Sequence, residues 1–155
     1  KKMSIIEENL KNLNIILPPA PAPAANYVPY SKTGKLIFVS GQIPIVNGEM
    51  IVGKVGKDTE VNDAVKAARA CGLAIISQLK EATNSNLDSI SRIIKLGGFV
   101  NCIDSFTKQP EIINGASEII AKIFENKGLH TRAAISSNSL PLGVAVEVDA
   151  IFELN

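Results

Sequence analysis

The sequence of 155 residues contains no tryptophan, a single histidine and only two cysteines, and aromatic residues make up 5% of it. A single histidine, His130, argues against a zinc site built from the usual histidine and cysteine ligands. Cys71 and Cys102 lie far apart and form no CxxC motif. This pattern is typical of a reduced, cytoplasmic protein and not of a disulfide framework.

The sequence also has no large excess of charge of either sign, since 16 lysines and arginines offset 15 acids and leave a net charge of +1. The lysines are scattered and few aromatics accompany them, which argues against a nucleic-acid partner. The chain has no apolar run of about 20 residues, so we expect no membrane span. The glycines at 97 and 98 are not part of a G-x-G-x-x-G motif, and no P-loop lysine accompanies them, so they do not predict a phosphate-binding loop.

Helical periodicity is clearest from 58 to 83, where apolar residues recur along one stripe and Asp58 or Thr59 is the expected N-cap. A second helix is predicted from 109 to 128, with Pro110 in its first turn and Gly128 after its end. We interpret residues 1–155 as one domain, with 1–19 as an N-terminal helical extension. The following "LPPAPAPAANY" is expected to be an ordered, extended strap.

Extended segments fill the remaining sequence. The run from 36 to 53 predicts two adjacent antiparallel strands joined at Asn47-Gly48, and Gly97-Gly98 suggests a bulge in a later strand. The fold class is therefore α+β, a mixed sheet with two long helices on one face. The other face still carries apolar side chains, so a closed homo-oligomer with clefts between subunits is expected.

The segment "HTRAAISSNSLPLGVAVEVDA" places one arginine and one glutamate on two strands of this apolar region. Val146, Val148 and Ala150 alternate with Glu147 and Asp149, so Glu147 faces away from the valines. Taken alone, Arg132 is more typical of an interface ion pair, and Glu147 of a solvated strand residue.

Three separated motifs resemble the YjgF/RidA family, also called L-PSP or Rid proteins. They are "FVSGQIP" at 38–44, "NGAS" within "QPEIINGASEIIAKIF", and an arginine followed by "LP" and "VEVDAI" over 132–151. The resemblance covers residues 20 to 155, and the N-terminal extension and "ENKGLHTR" are similar to a longer branch. It implies a chorismate-mutase-like subunit in a homotrimer. The implied activity is hydrolysis of reactive enamines and imines, such as 2-aminoacrylate, to 2-keto acids and ammonia, without cofactor or metal.

The resemblance also assigns roles to individual residues. It implies that Arg132 grips the carboxylate of a small metabolite through its planar fork of donors. It implies that Glu147 holds the attacking water. Matching positions that would bind the substrate are Tyr27, Ser40, Gly41, Asn114 and Ala134, the last through its backbone, since many members have cysteine there.

Several alternatives remain beside the deaminase hypothesis. A regulatory trimer could bind a carboxylate in the same cleft without consuming it. Endoribonuclease activity is a weaker alternative, because the sequence offers no pair of histidines for acid–base cleavage of RNA and no basic, aromatic surface. A chaperone role for the apolar surface is weaker still. His130 is a further candidate for the cleft beside Arg132.

Overall fold

The computed structural model describes residues 4–23 and 25–155, which form an α+β fold with three helices and a mixed sheet. The helices and strands, in chain order, are α1 Ile5–Asn12, β1 Tyr30–Thr33, β2 Leu36–Gln42, β3 Ile45–Val46, β4 Glu49–Met50, α2 Val61–Ala82, β5 Ile90–Asn101, α3 Gln109–Phe124, β6 Thr131–Ser137 and β7 Val146–Leu154. Short 3₁₀ turns lie at Leu87–Ser89, Glu125–Gly128 and Pro141–Gly143. None of the helices in these ranges is long and apolar enough to cross a bilayer.

The main sheet has the order β1-β2-β7-β5-β6. Every neighbouring pair is antiparallel except β5 and β6, which are parallel and joined through α3. Strand β6 is therefore an edge strand, and the chain returns to the centre of the sheet for its last strand, β7. This arrangement confirms the mixed sheet that was expected from the sequence.

The predicted hairpin is only partly correct. Asn47 and Gly48 both have positive φ, 51° and 81°, and turn the chain between β3 and β4, as an Asn-Gly pair does in a tight hairpin. That hairpin is a separate two-stranded ribbon. The antiparallel neighbours of β2 are instead β1 and β7, and β1 was not predicted because its sequence YSKT carries little apolar pattern.

The two long helices pack on one face of the sheet, as predicted. Alternate strand residues on that face are fully buried, among them Ile37, Leu96, Val146, Val148 and Phe152. Helix α2 begins after Glu60, whose side chain makes no capping bond, so the expected cap at Asp58 or Thr59 is wrong. Asp58 instead accepts a hydrogen bond from the backbone N–H of Lys54.

Two glycines show where backbones approach each other. A Cβ at Gly115 would overlap the backbone carbonyl oxygen of Val65, so α2 and α3 cross in direct contact there. A Cβ at Gly98 would run into the side chain of Ile113 on α3. The expected bulge at Gly97-Gly98 is wrong, because β5 shifts register earlier, before Lys95. Gly97 and Gly98 instead permit close packing, Gly97 against β7 and Gly98 against α3.

The other face of the sheet is open. Phe38 is 42% exposed and Ile135 49% exposed on it, and both line a shallow depression of about 270 Å³ with Phe99 and Ile151. Asp149 lies among these apolar side chains. An exposed apolar patch on a sheet is typical of a surface that another protein chain covers.

The N-terminal helix is fixed to the domain through one aspartate. Ser4 caps α1 by accepting a hydrogen bond from the N–H of Glu7, as expected for an N-cap serine. Asp88 accepts bonds from the hydroxyl of Ser4 and from the N–H groups of Ile5 and Ile6. Burial by itself raises the pKa of Asp88, but these hydrogen bonds outweigh it and leave its pKa below the ordinary value.

Candidate functional site

The carboxylate of Glu147 lies at one end of the open face, directly against the backbone of Gly41. A Cβ at position 41 would overlap Oε1 of Glu147, so this approach requires glycine. Both residues line a cleft of about 100 Å³ together with Tyr27, which is 47% exposed. Three of the residues that the sequence assigned to the site are thus brought together within one chain.

Ser40 holds the chain segment that carries Tyr27. Its hydroxyl donates to the carbonyl of Val28 at 2.7 Å, and its N–H donates to the carbonyl of Pro29 at 2.9 Å. Ser40 therefore fixes the segment next to Tyr27. This is a structural task that the sequence alone did not separate from substrate binding. Gly41 and Pro29 line the cleft, whereas Ser40 is not among its lining residues.

The proline-rich strap is anchored by buried polar side chains of α2. Ser77 donates to the carbonyl of Pro18 and Gln78 to that of Pro21, both at 2.7 Å. Gln78 is 2% exposed and also lies 3.4 Å from Oε1 of Gln42. A buried amide without partners would cost free energy, so each of these bonds stabilises one position of the strap. Residues 17–23 of the strap are thus held against α2, as expected for an ordered strap, and Ala24 lies outside the described residues.

Arg132 lies elsewhere, on the helix side of β6. One guanidinium nitrogen donates to the hydroxyl of Ser117 at 3.1 Å and another to the carbonyl of Pro110 at 3.2 Å. Asn114 lies between these two α3 residues, one helical turn from each, on the same side of the helix. Within residues 4–23 and 25–155, no carboxylate forms an ion pair with Arg132.

Ser117 and His130 form a hydrogen-bonded pair beside Arg132. The hydroxyl oxygen of Ser117 is 2.8 Å from Nε2 of His130, and Nδ1 of His130 is 2.6 Å from the carbonyl oxygen of Gly128. A carbonyl only accepts, so Nδ1 carries a proton, and in the neutral ring Nε2 accepts from the hydroxyl. The lone pairs of Ser117 are then free to accept from Arg132. The sequence reasoning missed Ser117, although it lies three residues after Asn114.

Ala134 lies two residues beyond Arg132 on the same side of β6. It is partly buried against the core and pairs with Gly98 of β5. Because β6 is an edge strand, its outer side leaves backbone groups without a strand neighbour in the part of the chain that the structure describes. Those groups are available to a ligand or to another chain.

Arg132 and Glu147 are not brought together within one chain. Arg132 is in register with Leu96 and Ala150, which are buried on the helix side. Glu147 is in register with Phe99, on the open side. Since strand faces alternate, the two side chains point to opposite faces of the sheet. A cleft that contains both residues requires two copies of the chain.

Burial changes the acidity of the open face. Desolvation raises the pKa of Glu147, and the nearby charge of Asp149 raises it further. Desolvation also raises the pKa of Asp149, although a hydrogen bond from the Gly97 backbone and the charge of Lys95 oppose the rise. Both carboxyls thus hold protons more firmly than free side chains do.

The chain belongs to the family described as "YjgF/chorismate_mutase-like, putative endoribonuclease", whose model matches residues 7–154. This confirms the resemblance found in the sequence, and the match includes every residue assigned to the site. A relative, protein TCP17 of Trypanosoma cruzi, is 45% identical over 152 residues, which are 97% of this chain and 94% of that protein.

Solved structures share the fold. The crystal structure of protein Atu1372 from Agrobacterium tumefaciens superposes with a TM-score of 0.90 at 44% identity, over 97% of this chain and 93% of that one. The structure of E. coli TdcF with bound serine has a TM-score of 0.59 at 25% identity, over 88% of this chain and 94% of that one.

Proposed function

We propose that this protein is an imine/enamine deaminase that hydrolyses 2-imino acids of the 2-aminoacrylate type to 2-keto acids and ammonia. The observation that carries the proposal is Arg132, a partly buried cation held by two neutral oxygens and paired with no carboxylate in the described chain. A partly buried cation without a counter-ion is a ready site for an anion. The carboxylate of an imino acid fits it in charge and in planar shape.

The chemistry needs no nucleophilic side chain, because the imine carbon is already electrophilic. Water adds to that carbon, the carbon–nitrogen bond then breaks, ammonia leaves, and a carbonyl oxygen remains. Glu147 would orient the water, accept its proton and return that proton to the nitrogen before ammonia leaves, which suits a carboxylate whose pKa is raised. Arg132, with backbone groups near Ala134, would hold the substrate carboxylate. Tyr27 and Asn114 would shape the cleft around the imine.

The active assembly in this proposal is a cytoplasmic homotrimer with sites between subunits. Two observations support an assembly of several copies of the chain. Arg132 and Glu147 point to opposite faces of the sheet, and Phe38 and Ile135 leave an apolar surface on the open face. Burial of that surface against another copy would stabilise the assembly and bring the two residues to one cleft. Sedimentation equilibrium tests this, and a monomer at micromolar concentration would contradict it.

A second candidate is a carboxylate-binding regulatory trimer that consumes nothing. The bound serine in the E. coli TdcF structure favours it, since serine also carries a carboxylate. The endoribonuclease description of the family has less support in this chain. Its only histidine, His130, is bonded to Ser117 and Gly128, and the net charge is only +1.

The deciding experiment follows release of ammonia and pyruvate from 2-aminoacrylate that a serine dehydratase generates in place. We expect wild-type protein to accelerate hydrolysis and Arg132→Ala to lower kcat/KM by about 100-fold, because charged hydrogen bonds to the carboxylate are lost. Arg92→Ala is the matched control, since Arg92 pairs with Glu153 away from the cleft. Full activity of Arg132→Ala would refute the role of the arginine. Binding of pyruvate without turnover would support the regulatory alternative.

A further inference from the structure

We infer that the cleft at Glu147 selects 2-imino acids with aliphatic or aromatic side chains over the small 2-aminoacrylate, and that Leu142 sets this preference. The inference rests on the proposed function for the reaction itself. It concerns the chemical class of the substrate, which the Arg132 contact with a carboxylate does not specify.

The walls of the cleft are mostly apolar, with Gln42 as a polar exception besides Glu147. Its lining includes Pro21, Pro23, Ile43, Pro141 and Leu142, together with the ring of Tyr27. Glu147 is the only charged residue among the described residues that line it. In the proposed site Arg132 of the neighbouring copy holds the first carboxylate. A second carboxylate on the substrate would therefore meet Glu147 with no further cation to pair with it, so acidic side chains are disfavoured. An apolar side chain would instead displace water from apolar walls, which is favourable.

The dimensions of the cleft suit a side chain of a few carbon atoms. Its volume within one chain is about 100 Å³. The two-carbon unit of 2-aminoacrylate beyond its carboxylate would leave much of it unfilled. A branched aliphatic side chain or one aromatic ring would fill it.

The wall formed by the strap is fixed before a substrate arrives. Proline restricts its own φ, and the carbonyls of Pro18 and Pro21 are held by Ser77 and Gln78, both nearly fully buried. A wall that does not move discriminates by shape, because the cost of ordering it has already been met in folding. Two prolines, Pro18 and Pro21, and two buried side chains, Ser77 and Gln78, thus fix this short segment of the cleft wall.

Leu142 is the least expected part of this lining. Its φ is 60° and its ψ is 9°, in the left-handed region that branched, bulky residues rarely adopt. It is 64% exposed, so its side chain gains little from burial in the chain itself. A strained backbone that presents an exposed leucine at the rim of a cleft is the arrangement found where a side chain contacts a ligand.

The experiment compares imines that an amino-acid oxidase forms in place from alanine, leucine, phenylalanine and glutamate. We expect kcat/KM for the leucine and phenylalanine imines to exceed that for the alanine imine by at least about tenfold. Glutamate imine should be the poorest. Leu142→Asn and Leu142→Gly both tolerate positive φ, and each should reduce the leucine-to-alanine ratio by about fivefold or more. Ile16→Asn, at a 93% exposed position outside the cleft, should leave the ratio unchanged.

A binding measurement separates this inference from the proposed reaction. Calorimetry with the product class compares pyruvate with 4-methyl-2-oxopentanoate. Tighter binding of the larger keto acid, lost in Leu142→Asn, supports the inference even if no imine is hydrolysed. Equal affinities, or an equal loss for every substrate accompanied by dissociation of the oligomer, would overturn it.

Discussion

Arg132 and Glu147 of one chain point to opposite faces of the same sheet, with β5 lying between their strands. The guanidinium contacts α3 on the helix side, and the carboxylate contacts Gly41 on the open side. If both serve one reaction, each cleft takes its arginine from one copy of the chain and its glutamate from a neighbour.

Mixed assemblies test this relationship. Arg132→Ala and Glu147→Gln should each be nearly inactive as pure proteins. When equal amounts assemble together at random, about a quarter of the interfaces in a cyclic oligomer combine an intact arginine with an intact glutamate. Activity should therefore return to about a quarter of the wild-type value. Each variant, dissociated and reassembled alone, is the control. No recovery in the mixture would show that the two residues do not share a cleft across an interface.

A second prediction concerns the bond between Ser117 and Arg132. Ser117→Ala removes one acceptor of the guanidinium and the donor to His130, so Arg132 is held by the Pro110 carbonyl alone. A hydrogen bond to a charged group contributes about 1.5–3 kcal/mol, and we expect KM to rise by about tenfold with a smaller effect on kcat. Steady-state kinetics measures the split between these two parameters.

The controls for this prediction lie close in the structure. Ser117→Thr keeps the hydroxyl and should restore KM. Thr131→Ala removes a hydroxyl that bonds to the carbonyl of Ile94 and should leave KM near the wild-type value. An unchanged KM in Ser117→Ala would show that Ser117 does not position Arg132.

A third prediction follows from the two carboxyls on β7. Because burial and the charge of Asp149 raise the pKa of Glu147, activity that needs ionised Glu147 should fall on acidification at a pH above the usual range of glutamate. Asp149→Asn removes the like charge, which lowers the pKa of Glu147. The acid limb of kcat/KM against pH should therefore move to lower pH.

Another acid on the same strand supplies the control for this shift. Glu153→Gln removes a carboxylate that pairs with Arg92, so the acid limb should stay in place. An acid limb that moves upward in Asp149→Asn, or does not move, would contradict the assignment of Glu147 as the titrating base.

The sequence predicted the elements with strong periodicity, above all α2 and α3, whereas the roles of the site residues stay predictions. It could not predict that β2 pairs with β1 and β7, because strand pairing depends on contacts between distant segments. The Asn47-Gly48 turn was recognised from local chemistry, but local chemistry did not reveal how short its strands are. Ser117 was missed for a related reason, since only the placement of β6 beside α3 brings Arg132 to it.

The contact between α2 and α3 gives a test that is independent of function. A Cβ at Gly115 would overlap the carbonyl oxygen of Val65, and backbone cannot move aside easily. A Cβ at Gly72 would lie 3.1 Å from a methyl group of Ile119 and 3.3 Å from the backbone Cα of Ala116, contacts that a small shift relieves. Alanine favours helix over glycine by about 1 kcal/mol at both positions, so this term cancels in the comparison.

We therefore expect Gly115→Ala to lower the free energy of unfolding by about 2 kcal/mol, and Gly72→Ala by less than about 1 kcal/mol. Urea denaturation at one fixed protein concentration measures both, since association between copies would otherwise change the apparent stability. The slope with urea should stay constant, because neither change alters the surface exposed on unfolding. If Gly72→Ala were the more destabilised variant, the two helices would not cross at Gly115, and the position of α3 that brings Ser117 to Arg132 would also be wrong.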